Sequence, residues 1–241
     1  MIDKRVGALK NFAPDGSSNL PRGEENGADT PEAVTRKLEE KIVLGQLNPR
    51  ERLIEDELCE EFSVKRHVVR QALIALENLG LVERIRNRGA VVRAYSAQEV
   101  EDINAVRELI EVHAASLIPL PLPEAALQQL EDIQSRHAAA IASDDQRNVF
   151  RINIEFHRSL FSHCGNPALV EAIDIFAQKS HAYRSVFVTQ KEYLEWAASE
   201  HRIMTQACRS GDRELLVAAC ARHLAPAKDY YIATWRKRFG E

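Results

Sequence analysis

The sequence predicts a mainly α-helical protein, an N-terminal winged helix-turn-helix followed by an all-helical bundle, and three observations carry that reading. Between residues 30 and 79 apolar side chains recur at helical spacing in three successive segments. Two short β-like runs then flank NRG at residues 87–89, where Asn and Gly suit a tight hairpin. Beyond residue 96 the helical period returns and persists, punctuated by capping residues, Pro and Gly.

Taken in order, residues 1–29 contain APDGSSNLPRGEENGAD, too poor in large apolar groups to pack, and read as a mobile tail. Thr30 as N-cap and Pro31 as first helical residue open a helix with Ala33, Val34, Leu38, Ile42 and Val43 on one stripe, ended by Gly45. After the turn GQLNPRERL, a second helix is expected over about 55–62 and a third over about 66–79. In the third, Val68, Val69, Ala72, Leu73, Leu76 and Leu79 face inward, and Gly80 is the stop. LVERI and AVVRA form the hairpin. Ser96 with Glu99 makes a capping box that opens a helix to about 118, and Thr189 with Glu192 makes another. Further helices fall near 123–142, 145–164, 167–187, 190–209 and 213–238, with Pro123 and Pro167 at first-turn positions and Gly165 and Gly211 at helix ends. The domains are therefore expected at 30–95 and 96–241, after the tail.

The chain of 241 residues carries a formal charge of -4, so it is not basic all over and any contact with nucleic acid must be local. Cys59, Cys164, Cys208 and Cys220 show no CxxC pairing and fit reduced, buried thiols better than a disulfide framework. No apolar run approaches the roughly 18 residues of a membrane span. Nor does the N-terminus carry the apolar core of a secretion signal, so the expectation is a soluble cytoplasmic protein with no membrane partner.

Against that acidic background, Lys65, Arg66, His67 and Arg70 crowd one helical turn, and Arg84, Arg86 and Arg88 lie in the hairpin. In a helix-turn-helix the second helix of the motif enters the major groove, and its first turn must offer side chains to base edges and phosphates. Arg66 and Arg70 lie four apart, on a face distinct from the Val69, Ala72, Leu73 stripe. The hairpin arginines suit the phosphate backbone or minor groove, and Gly89 permits close backbone approach. Charge runs are ordinarily no more than a solvated face; the order of three helices and a hairpin is what favours DNA here.

A second constellation lies downstream. Asn153 and His157 are spaced i, i+4, and His201 and His223 come from two later helices. Helical bundles build metal sites from inward groups on several helices, and three imidazoles plus an oxygen suit zinc, nickel or a similar divalent ion. Singly, a histidine is more often a packed or surface residue, as His113, His137, His163 and His181 are expected to be.

LGQLNPRERLIEDELCEEFSVKRHVVRQALIALENLGLVERIRNRGAVV resembles the N-terminal winged helix of the GntR family of bacterial transcriptional regulators, over about residues 34–93. Three positions depart from its pattern: Arg50 stands where the turn usually has Gly, Cys59 where the helix usually has Ala, and Val68 where Pro is frequent. The resemblance places the DNA-reading residues on Arg66, His67 and Arg70, with Gly89 at the wing tip beside Arg88. Lys65 replaces the usual Ser or Thr and adds a phosphate contact. INAVRELIEVHAASL, NIEFHRSLFSHCGNPAL and SEHRIMTQACRSGDRELLVAACARH resemble the FCD effector-binding domain of the FadR-like branch. That resemblance implies a metal held by Asn153, His157, His201 and His223, with Asn153 where Asp is usual and hence weaker binding. It also implies an effector carboxylate at Arg107, whose alternative is an i, i+4 pair with Glu111 worth about 0.3–0.5 kcal/mol if exposed.

The implied function is a ligand-responsive regulator. A homodimer would sit on a pseudo-palindromic operator, a small organic acid would bind at the metal and Arg107, and coupling would pass through RAYSAQEV, residues 93–100. A metal-dependent hydrolase with an accessory DNA-binding domain is a second reading. Its candidate base, Glu200, diverges from His201 by about 100° on the helix. A third makes the metal itself the signal.

Overall fold

The computed structural model describes residues 29–86, 88–184 and 190–239. The tail before residue 29, Asn87 of the hairpin, Thr189 and the end of the helix expected to reach residue 187 lie outside the described residues. Among those residues the order is α1 (Pro31–Val43), β1 (Arg52–Leu53), α2 (Glu55–Phe62), α3 (Arg66–Asn78), β2 (Val82–Ile85), β3 (Gly89–Val92), α4 (Ala97–Leu117), α5 (Glu124–Ala142), α6 (Gln146–Ser162), α7 (Pro167–Arg184), α8 (Lys191–Ser210) and α9 (Arg213–Phe239). The fold is mainly helical with a small N-terminal sheet, as the sequence predicts.

The start signals act as expected at two helices. Thr30 Oγ1 accepts the Ala33 N–H at 3.2 Å ahead of Pro31, and Ser96 and Glu99 exchange both hydrogen bonds of a capping box. Two expectations shift by a residue. Pro123 is the N-cap of α5, one place before the first turn, and α8 starts after Gln190, whose side chain makes no cap bond. One element escapes the sequence altogether. β1 lies inside the turn GQLNPRERL and pairs antiparallel with β3, Arg52 opposite Val91, to give the sheet order β1-β3-β2. Two residues are too few to show any period.

That turn also explains the missing glycine. Arg50 adopts φ +69°, a conformation that costs an L-residue about 1–2 kcal/mol. Its N–H donates to the Val92 carbonyl at 2.8 Å, and its guanidinium lies 5.8 Å from the Trp235 ring of α9, a cation–π contact that offsets part of the strain.

The winged domain and the bundle are not separate bodies joined by a string. Val34, Leu38 and Ile42 of α1 share a core with Leu73 and Leu76 of α3, and that cluster continues into Val100 of α4, Ala182 and Tyr183 of α7 and Ile232 of α9. The Tyr231 hydroxyl donates to the Tyr95 carbonyl at 2.7 Å across the same junction. A second junction holds α1 to α6 and α7. Val43 packs with Phe150, Glu40 pairs with Arg147 at 2.8 Å and with Arg151, and Glu39 meets His181 Nδ1 at 3.1 Å. The bundle's own core runs through Ala114, Leu130, Phe156, Leu160, Ala207 and Leu216. Cys164, Cys208 and Cys220 are buried free thiols, and burial pushes Cys208 up to about 11. No helix among the described residues is long and apolar enough to cross a membrane.

Gly80 holds the α3–β2 turn at φ +75°, and a Cβ there would stand 2.5 Å from the Tyr95 hydroxyl, which donates to the Gly80 carbonyl at 2.7 Å. Gly80→Ala should therefore destabilise by more than the roughly 1–2 kcal/mol of a left-handed alanine alone. Gly45→Ala, at φ +69° with open space around it, should cost only that strain. Urea unfolding of both variants checks this, and equal losses would contradict it.

Candidate functional site

The first turn of α3 presents what the sequence placed there. Lys65 is the N-cap and makes no side-chain cap bond, so the first N–H groups of α3 are left facing solvent beside the exposed Lys65, Arg66, His67 and Arg70. Arg66 pairs with Asp56 and Arg70 Nε donates to Glu55 at 2.9 Å, both acids from α2. Such exposed pairs are worth about 0–1 kcal/mol, so a polyanion can displace them cheaply. In the wing, Arg84 pairs with Glu77 at 3.1 Å, whereas Arg86 and Arg88 make no ion pair among the described residues. Gly89 is exposed at φ +77°, with open space where a Cβ would stand. Arg52 on β1 lines the same wing groove as Arg84, Arg86 and Arg88. Sequence reasoning missed Arg52 because it missed the strand that carries it.

The second site sits inside the bundle. His157 on α6, His201 on α8 and His223 on α9 converge with ring centroids 5.0, 4.9 and 5.0 Å apart, and their ligand atoms all lie within 4.8 Å of one another. His201 and His223 are almost fully buried, and neither nitrogen of either ring has a hydrogen-bond partner; His157 Nε2 has none. Aromatic neighbours fix the rings: Phe156 stacks on His201 at 4.1 Å and Trp196 on His223 at 5.7 Å. Burial pushes His223 down to about 3 and takes His157 and His201 well below the usual imidazole range, with the neighbouring imidazoles adding to the effect. Neutral, unpartnered and convergent imidazoles are the donor set a divalent ion requires.

Asn153 lies one turn before His157 and shares its cavity, a partly open space of about 240 Å³ bounded by α1, α4, α6 and α7. Arg107 and Glu111 of α4 stand in the same wall, 4% and 2% exposed, with Arg107 Nε donating to Glu111 Oε1 at 2.9 Å. The intrahelical pair expected as the alternative to effector binding is thus present, but buried, so the surface value does not apply to it. The bond to Glu111 leaves donors of the five-donor guanidinium fork for a ligand.

Two further residues stand beside the cluster. His137, expected to be an unrelated packing residue, lies 5.4 Å from His201 with both nitrogens unpartnered, and burial lowers it to about 4. Glu200, the candidate base of the hydrolase reading, is held by both oxygens in a pair with Arg222 at 2.9 and 3.1 Å. Such a carboxylate is poorly placed to accept a proton from water.

The profile of the FCD domain matches residues 102–226, and that of "Bacterial regulatory proteins, gntR family" matches residues 30–92. The HTH-type transcriptional repressor RspR of Escherichia coli is 29% identical over 191 residues, 79% of this chain and 84% of its own. The HTH-type transcriptional regulator YdhC of Bacillus subtilis is 25% identical over 179 residues, 74% of this chain and 80% of its own. A GntR regulator from Rhodococcus superposes with a TM-score of 0.72 at 20% identity, covering 86% of this chain and 99% of that one.

In the unfolded chain the buried histidines titrate near 6.5, whereas in the fold His137 and His223 stay neutral down to about 4 and 3. Their folded values are depressed, so below about pH 6.5 the unfolded state takes up protons that the folded state refuses. Metal-free protein should lose stability as pH falls from 6.5 towards 4, each such histidine adding up to about 1.4 kcal/mol per pH unit. Thermal unfolding in chelator across that range checks it; a flat profile would contradict the burial of the cluster.

Proposed function

This chain belongs to the GntR family of bacterial transcriptional regulators and carries an FCD domain, and on that premise we propose that its bundle senses a small organic acid at a divalent metal and passes the result to operator DNA. The observation that carries the reading is the convergence of the half-buried His157 with the buried, unpartnered His201 and His223, beside a cavity whose wall holds Arg107. An all-nitrogen set of this kind suits zinc or nickel, with the neutral amide of Asn153 as an oxygen donor. One oxygen of the acid would complete the coordination, and its charge would fall to Arg107. The ion would polarise that oxygen and fix its position; the protein's part is to exclude water and hold the rings.

At the other end, Arg66, His67 and Arg70 would enter the major groove, with Lys65, Arg88 and Gly89 on the phosphate backbone. A homodimer would present two such helices to a pseudo-palindromic site. The relatives and the domain matches are those of transcriptional regulators, not enzymes.

Two outcomes are expected. Arg66→Ala with Arg70→Ala should abolish specific operator binding in a gel-shift assay while leaving the melting temperature within about 2 °C of the parent, since both side chains are exposed. Retained tight binding would refute the assignment. Among carboxylates screened by thermal shift, one at 100 times its Kd should add about 2.7 kcal/mol of stability, and chelation or Arg107→Ala should remove that gain. A gain that survives both would move the acid elsewhere.

A further inference from the structure

The cavity beside the imidazole cluster is not built by the bundle alone. Arg36 and Glu39 of α1, a helix of the DNA-binding domain, stand in its wall together with Arg107 of α4 and Arg184 at the end of α7. Four arginines line the cavity against three carboxylates, an excess of one positive charge that a divalent ion would raise to three. The pairing within the wall is uneven. Arg107 is taken up by Glu111, Arg158 donates to Asp174 at 3.0 Å, and Glu39 meets His181. Arg36 and Arg184 make no ion pair among the described residues, one from each domain. Two unmatched cations on opposite sides of the domain boundary, facing one small cavity, are complementary to a ligand with two anionic ends.

We propose that the effector is a dicarboxylate, or an acid with an equivalent second anionic group, which spans the domain boundary: one end at the imidazole cluster, where Arg184 and the donors of Arg107 not used by Glu111 face it, the other on Arg36. This rests on the acid-sensing reading above. Its consequence is mechanical. α1 shares its core with α3, so a ligand that ties Arg36 to the bundle restrains the helix against which the recognition helix packs. Differential contact with two domain arrangements is what a ligand needs to shift an equilibrium between them. Arg36 is thereby a specificity residue for the effector and the first point at which its presence reaches the DNA-binding domain. A monoacid of the same chain length satisfies only the inner end.

The test is calorimetric titration of the zinc-supplemented full chain with succinate, glutarate and adipate and with the matched monoacids butyrate, valerate and hexanoate. At least one diacid should bind ten times or more tighter than its monoacid. Arg36→Ala should cost about tenfold for that diacid and nothing for the monoacid, a loss of about 1.4 kcal/mol confined to the second charge. Arg36→Lys should recover part of it. Arg107→Ala should weaken both acids. If Arg107→Ala weakens binding but Arg36→Ala does not, or if no diacid is preferred, the bridge across the domains is wrong and the acid site stands. If no acid binds, or Arg107→Ala binds as the parent does, the acid-sensing reading falls and the bridge with it.

Discussion

Burying a hydrogen-bonding nitrogen without a partner costs about 1–3 kcal/mol, and this bundle does so at several imidazole nitrogens in one place. A fold with only about 5–15 kcal/mol of net stability does not carry such a debt idly. The surrounding structure is arranged around it. α6, α8 and α9 each deliver one histidine to the same point, and the flat faces of Phe156 and Trp196 stop the rings from turning away. Glu200, next in sequence to His201, is drawn off to Arg222, so its charge is spent outside the cluster. The cluster stays neutral, which is the state in which imidazole nitrogen is a ligand.

The same cluster abuts the boundary between the two domains, and that boundary is packed at two places rather than one. The segment 93–100, expected to carry the coupling, is well anchored: Arg93 lies 4.3 Å from the Tyr95 ring, and the Tyr95 carbonyl accepts from Tyr231. The second junction, through Glu39, Glu40 and Val43 of α1, brings the DNA-binding domain to the edge of the cavity beside the imidazole cluster. A direct wall contact couples two domains more strongly than a tether does, because the ligand's own contacts then differ between domain arrangements.

Most of the helices were legible in the sequence because each has a local cause. Val34, Leu38 and Ile42 recur at helical spacing, Thr30 and Ser96 offer oxygen to free N–H groups, and Gly80 and Gly211 supply positive φ at helix ends. The i, i+4 pair Asn153 and His157 was visible for the same reason. What the sequence hid has no local cause. β1 exists because β3 offers it a pairing edge, and its two residues are unremarkable alone. His137 differs from a packing histidine only in what lies across from it, 64 positions away at His201. Arg36 was unremarkable too, since an exposed arginine on a surface helix carries no sign that another domain's cavity opens beneath it. Partnerships between distant segments are properties of the tertiary fold and leave no period to count.

The reach of α9 back to the winged domain bears on how the protein is made. Tyr95 and Tyr231 are separated by 136 positions, and at roughly 5–20 residues per second a ribosome needs roughly 7–27 s to pass from one to the other. For that interval the winged domain has emerged without the helix that supplies Ile232 and Trp235 to its core. It must therefore hold its shape on α1, α2, α3 and the sheet, with the faces destined for α7 and α9 still wet. A nascent chain in that condition displays its basic α3 surface before the bundle exists, and the contacts that α9 makes with the winged domain form only once synthesis has run through that helix.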